Sequence, residues 1–158
     1  MSHWTDAHCH LQEQFLGDEE TTAKLLDTLS RTFEGGVDRV VVIGTDATTS
    51  AQALEITSVI GPVDIYATVG LHPHDALQDI EPVLALARHG HPKLVGIGEC
   101  GLDYYYEHSP RADQRRAFAT QIALAHELDL ALVIHARDAF DDLFDVLSSE
   151  GVPERTVV

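Results

Sequence analysis

The sequence predicts an α/β protein whose parallel sheet curls toward a (β/α)8 TIM barrel. Three observations carry this. Short apolar, β-branched runs alternate along the chain with amphipathic helical patterns. The runs are almost continuously apolar, as strands covered on both faces are, which favours parallel pairing. The residues that close them are polar, at His8/His10, Thr45/Asp46, His72/His74, Glu99/Asp103 and His135/Arg137, and a barrel gathers its functional groups at such strand ends.

Taken in order, the strand-like runs cover residues 4–8, 39–43, 63–69, 93–98 and 130–135, with 156–158 opening another. Between them Leu25, Leu26, Leu29 and Phe33 form one helical stripe, and Ala47, Ala51 and Leu54 a thinner one. Ile80, Val83, Leu84 and Ala87 make a third, Phe118, Ile122 and Ala125 a fourth, and Phe140, Leu143, Phe144 and Leu147 a fifth. Gly35-Gly36 ends the first helix, Asp46 caps the second, Ser109-Pro110 suits the start of the fourth, and Gly151 with Pro153 stops the fifth. An open doubly wound sheet would place a Gly-rich phosphate turn after the first strand, and His8-Cys9-His10-Leu11 is nothing like one. Eight βα units need about 250 residues. The 158 residues therefore read as a single domain, 1–158, truncated after about five such units.

A charge of −16, from 10 basic against 26 acidic residues, argues against a broad electrostatic surface for nucleic acid. A divalent metal cluster can still invert the field locally. The acidic runs at 17–20 and 141–142 read as solvated helix starts. No apolar run is long enough to span a membrane. Residues 1–5 lack the features of a signal peptide, leaving the cytoplasm as the default location. Two cysteines far apart do not make a disulfide framework. Open edges of an incomplete barrel invite self-association.

Candidate chemistry starts at Asp6-Ala7-His8-Cys9-His10. On a strand, residues two apart share a face, so His8 and His10 form a metal clip while Cys9 points away. Glu99 follows an apolar strand with Gly96 and Gly98 beside it, and His135 abruptly ends another. Three imidazoles and one carboxylate suit zinc or manganese better than calcium. His72 and His74, in Gly-Leu-His-Pro-His, either line a substrate site or hydrogen-bond within their loop. Arg137 shares the strand-end face of His135 and either grips a phosphate in a forked contact or pairs with Asp103 or Asp138. Tyr104-Tyr105-Tyr106 either stacks bases or packs beneath a helix.

Four motifs, Asp6-Ala7-His8-Cys9-His10-Leu11, Gly70-Leu71-His72-Pro73-His74, Gly98-Glu99-Cys100-Gly101-Leu102-Asp103-Tyr104 and Val133-Ile134-His135-Ala136-Arg137, resemble in order and spacing those of the TatD family of metal-dependent hydrolases. The resemblance runs from Thr5 to the last residue; Cys100 departs from the family's usual aliphatic residue. It implies an amidohydrolase-like barrel with deoxyribonuclease activity and two divalent ions, Mg, Mn or Zn. His8 and His10 would hold one ion, Glu99 would bridge, and His135 would hold the second. It also implies a further His just after Val158 and a later Asp, so weak or no turnover is expected of these residues alone. DNA, single-stranded or at its ends, is the implied substrate. A small amide or lactone, or a non-catalytic binding fragment, are the alternatives.

Overall fold

The computed structural model describes residues 3–12 and 19–158. Met1 and Ser2 of the leader reading, and Gly17 and Asp18 of the first acidic run, lie outside them. Six strands form one sheet: β1 (Trp4–Cys9), β2 (Val37–Val42), β3 (Asp64–Val69), β4 (Leu94–Asp103), β5 (Ala131–Arg137) and β6 (Thr156–Val157). The described helices are α1 (Glu19–Glu34), α2 (Ala47–Ile56), α3 (Glu81–His89), α4 (Arg111–Leu128) and α5 (Phe140–Glu150).

The strands pair in sequence order from β1 to β6, every pair parallel. Right-handed crossovers that always step the same way put every helix on one side. The order never reverses, so the sheet has no switch point of the doubly wound kind and curls as part of a TIM barrel. All strand C-terminal ends then face one mouth.

Two of the three buried clusters among the described residues join helices to the sheet. Leu25 and Leu29 of α1 and Ala53 and Ile56 of α2 pack on Val40, Val42 and Ile65. Phe118, Ile122 and Ala125 of α4, with Leu143 and Leu147 of α5, pack on Ile97, Leu102, Leu132 and Ile134. The expected stripes are wider than the buried faces. Leu26, Phe33, Phe140 and Phe144 are exposed, because these helices meet the sheet along a single narrow line.

Most helix limits follow the local signals. Asp46 caps α2 through a reciprocal capping box with Thr49, and Gly36 and Gly151, both at positive φ, follow α1 and α5. Ser109 does something else: its hydroxyl donates to His74 O at 2.7 Å and ties the start of α4 to the β3 loop. β4 runs beyond the expected stop at 98, since after an irregularity between Ile97 and Cys100 the strand resumes pairing from Cys100 to Asp103 with Ile134 to Arg137. Asp142 is more than a solvated helix start: it accepts from Tyr104 Oη at 2.6 Å and pairs with Arg115 at 2.8 Å.

Candidate metal centre

The strand ends bring the predicted residues to one mouth. His8 and His10 come from the end of β1 and the residue after it, His72 and His74 from the loop after β3, Glu99 from β4 and His135 from β5. Cys9 turns away, as the alternation predicts, and its thiol points at Val41 O; burial and Asp6 push it up to about 12.

Close backbone approach makes the convergence possible. A Cβ on Gly70 would lie 2.4 Å from Gly98 C, and one on Gly98 would lie 2.3 Å from Val133 O, so β3, β4 and β5 meet where only glycine fits. Glu99 N donates to Gly44 O at 2.8 Å, and Thr68 Oγ1 donates to Gly98 O at 2.5 Å. These contacts aim the Glu99 carboxylate into the mouth.

Glu99 is the centre of the arrangement. Its Oε2 lies 3.3 Å from His8 Nε2, while its Oε1 lies 3.0 Å from His135 Nδ1 and 3.9 Å from His72 Nε2. Two three-residue groups have donor atoms close enough to hold an ion: His8, His10 and Glu99, and His72, Glu99 and His135. Glu99 belongs to both. His72 thus stands beside the predicted ligands, and it also makes the hydrogen bond within its loop that the sequence offered, its Nδ1 accepting from His74 N.

Burial pushes the Glu99 carboxyl up, but hydrogen bonding from His135 and the fields of His72 and His8 outweigh it and hold the group below its ordinary value. Burial drives His72 down to about 4, aided by neighbouring His135, so its imidazole is neutral at pH 7; its Nδ1 accepts from His74 N at 3.2 Å, which places the ring hydrogen on Nε2, the nitrogen that faces Glu99. His135 is raised, chiefly by its bond to Glu99 and against the effect of burial.

Asp103 was legible as a polar strand end and as a candidate partner of Arg137, yet its place is to organise the centre. Its fully buried carboxylate accepts from both His74 Nε2 and His135 Nε2 at 2.9 Å through Oδ2. Through Oδ1 it accepts from the backbone N–H of Tyr105 and Tyr106 at 3.1 and 2.9 Å. Burial raises its pKa, but the Tyr106 amide and the two imidazoles hold it far below the carboxylate range. An ionised carboxylate only accepts, so both Nε2 atoms carry hydrogen.

The residues fit a metal on this ground. With Nε2 of His135 donating to Asp103, its Nδ1 is the lone-pair nitrogen of the neutral ring, and it faces Glu99 Oε1 at 3.0 Å. Two acceptors so close require a cation between them, either a proton or a metal ion. Ligand atoms about 2.1 Å from one ion and at right angles to each other stand about 3.0 Å apart, so the pair needs no rearrangement to share one.

Two glutamines of α4 that no motif reading singled out secure the loops. Gln121 Oε1 accepts from Leu71 N at 2.8 Å and its Nε2 donates to Leu71 O at 3.0 Å, fixing the residue before His72. Gln114 does the same for Asp103, accepting from its N at 2.8 Å and donating to its O at 3.0 Å. Both side chains are fully buried. Their signal in the sequence is two polar residues, seven apart, on the apolar side of a helix.

Comparison with known proteins gives the family and the fold. The family model for TatD related DNase matches residues 5–158. A metal-dependent hydrolase of Bacillus subtilis, YabD, is 40% identical over 149 residues, covering 92% of this chain and 55% of that protein. The 3'-5' ssDNA/RNA exonuclease TatD of Escherichia coli K12 is 33% identical over 125 residues, covering 77% and 46%. Among solved structures, the TatD homologue YjjV of E. coli K12 superposes with a TM-score of 0.82 at 26% identity, covering 96% of this chain and 57% of that one. An amidohydrolase from Saccharomyces cerevisiae has the same fold, with a TM-score of 0.81 at 22% identity, over 93% and 51%. The chain spans about half the length of the curated relatives it matches.

Proposed function

The chain belongs to the TatD related DNase family, and from that premise we propose that it serves divalent-metal-dependent hydrolysis of phosphodiester bonds, with single-stranded nucleic acid or its ends as substrate. The observation that carries the reading is the sharing of Glu99 between two ligand groups. His8 and His10 with Glu99 would hold one ion, and Glu99, His135 and His72 a second. A histidine-rich set with one carboxylate favours zinc or manganese, with magnesium the harder alternative. A divalent ion there supplies positive charge to a phosphodiester oxygen and lowers the pKa of water bound to it.

The chain's own residues supply the rest. His72 stays neutral beside the centre, Asp103 orients His135, and Glu99, ionised at neutral pH, balances the charge of what binds. The nucleic-acid substrate follows the exonuclease relatives, whose names include ssDNA and RNA. The reading takes residues 1–158 as one domain, since a single sheet carries all the site residues. Two free thiols, Cys9 and Cys100, suit the reducing cytoplasm, and no described helix is long and apolar enough to cross a membrane. β1, at one edge of the sheet with Trp4 exposed, is where copies would associate, which sedimentation would report.

A small amide or lactone is the second reading, favoured by the net charge of −16, which opposes a long polyanion. The test is to strip the protein with chelator, reload it with magnesium, manganese or zinc, and assay single-stranded DNA, bis(p-nitrophenyl) phosphate and an amide and lactone panel. Metal-dependent cleavage of the diesters supports the proposal. Turnover confined to amides or lactones, or no metal uptake, overturns it.

A further inference from the structure

The chain holds 10 Lys and Arg against 26 Asp and Glu. Such an excess of carboxylates should leave every cation with a partner, and nearly all have one. Each Lys and Arg except Arg137 lies within ion-pair distance of a carboxylate. Among the described residues Arg137 has none, although Asp138 is its neighbour and Asp103 sits directly across the β4–β5 pair. The two ion pairs that compete with phosphate binding in the sequence are therefore not made.

What holds Arg137 instead leaves its donors free. Its guanidinium carbon lies 4.1 Å from the ring centroid of Tyr105 and 4.6 Å from that of Tyr106. Aromatic faces attract the cation without using its N–H groups. Both tyrosines are themselves fixed, because their backbone N–H groups donate to Asp103 Oδ1, and Tyr104 N donates to Arg137 O at 2.9 Å. Tyr105 and Tyr106 are 59% and 50% exposed, so the assembly opens to solvent. The result is a preorganised guanidinium with an unfilled fork, in a protein whose field repels anions elsewhere.

Its position says which anion. Arg137 follows His135 by two residues on β5 and so leaves the strand on the same face, about 6.6 Å further along. The His74 ring connects the two places, with centroids 6.1 Å from His135 and 5.6 Å from Tyr106. Asp103 touches both, through Oδ2 to the imidazoles and through Oδ1 to the tyrosine turn. The fork therefore lies on the same strand-end face as the metal centre, with the His74 ring between them.

We infer that Arg137, backed by Tyr105 and Tyr106, is the subsite for the phosphate next to the one at the metal centre in a single-stranded polynucleotide. This rests on the phosphodiester reading above, and it adds that the substrate is recognised by two consecutive phosphates. A substrate with one phosphodiester and nothing beyond it would not use the fork.

The test is a cycle on protein and ligand. Binding of a fluorescein-labelled hexathymidylate, with phosphorothioate linkages to resist cleavage, is followed by anisotropy with metal-loaded wild type and Arg137→Gln. The same measurement is repeated with oligonucleotides carrying a neutral methylphosphonate at each linkage in turn, and with inorganic phosphate as competitor. Wild type binds the charged oligonucleotide at least ~10-fold tighter than R137Q. One methylphosphonate position removes that difference, and Arg137→Lys restores part of it. Phosphate at millimolar concentration displaces the wild-type complex more effectively than the R137Q complex if the fork takes phosphate as such. Equal losses for R137Q whatever the linkage charge, or no loss, overturn the subsite while leaving the phosphodiester reading intact. Failure of wild type to bind the oligonucleotide sinks that reading and the subsite with it.

Discussion

Asp103 Oδ2 accepts the Nε2 hydrogen of His135 at 2.9 Å, which leaves the other ring nitrogen of His135 to face Glu99. Asp103→Asn keeps the shape but brings an NH2 group that can donate to Nε2, and so no longer dictates which nitrogen carries hydrogen. Metal affinity at the group containing His135 should fall roughly 10–100-fold, the usual effect of losing a carboxylate behind a ligating histidine. Long-range 15N–1H spectra of the metal-free wild type should show His135 carrying hydrogen on Nε2. A ring with hydrogen on Nδ1 alone would refute the assignment before any variant is made.

Glu99 reaches His8 through one oxygen and His135 through the other. Glu99→Gln should therefore lower metal content at both groups together, whereas His8→Ala should spare the one formed by His72 and His135. Equilibrium dialysis followed by elemental analysis measures this. If E99Q and H8A lose the same amount of metal, Glu99 is not shared.

The legible part of this site was the part that a strand fixes locally. His8, Glu99 and His135 end strand runs, which places them at the mouth, although Glu99 sits in the irregularity between Ile97 and Cys100 and is aimed by contacts no spacing rule reports. Asp103 was harder to read because the sequence marks its place at a strand end and offers Arg137 as its partner, not the two histidines. Its importance comes from bonds to His74 and His135, 29 and 32 residues away, and no spacing rule reports such contacts. The glutamines of α4 were invisible for a related reason. A polar residue on a buried face is a defect in a periodicity pattern, and becomes a clamp only when the chain it binds is known.

Gln121 satisfies both backbone groups of Leu71 in a fully buried place. Gln121→Leu keeps much of the volume but strands a donor and an acceptor, and should cost about 1–3 kcal/mol for each group left bare. Urea denaturation measures the loss. Because Leu71 precedes His72, metal affinity should fall as well. An unchanged denaturation midpoint would show that the loop does not depend on the clamp.

His72 gives the metal-free protein a pH signature. Its folded value is about 4 against the ordinary 6.5 of an imidazole, driven first by burial. As pH falls from 6.5 to 4 the unfolded chain takes up a proton at this position that the folded chain refuses, so stability drops. The stabilisation is complete above 6.5 and lost by about pH 4, at most roughly 3 kcal/mol. Carboxylates titrate near the lower end of this window too, so the informative quantity is a difference. Chelated wild type should lose more stability between pH 7 and 4 than His72→Asn, whose amide oxygen can still accept from His74 N as His72 Nδ1 does at 3.2 Å. The gap should open mainly between pH 6.5 and 5, above the ordinary carboxylate range, where the unfolded imidazole protonates and the folded one does not. Parallel curves for the two proteins would mean that His72 is solvated in solution and that burial does not keep its ring neutral.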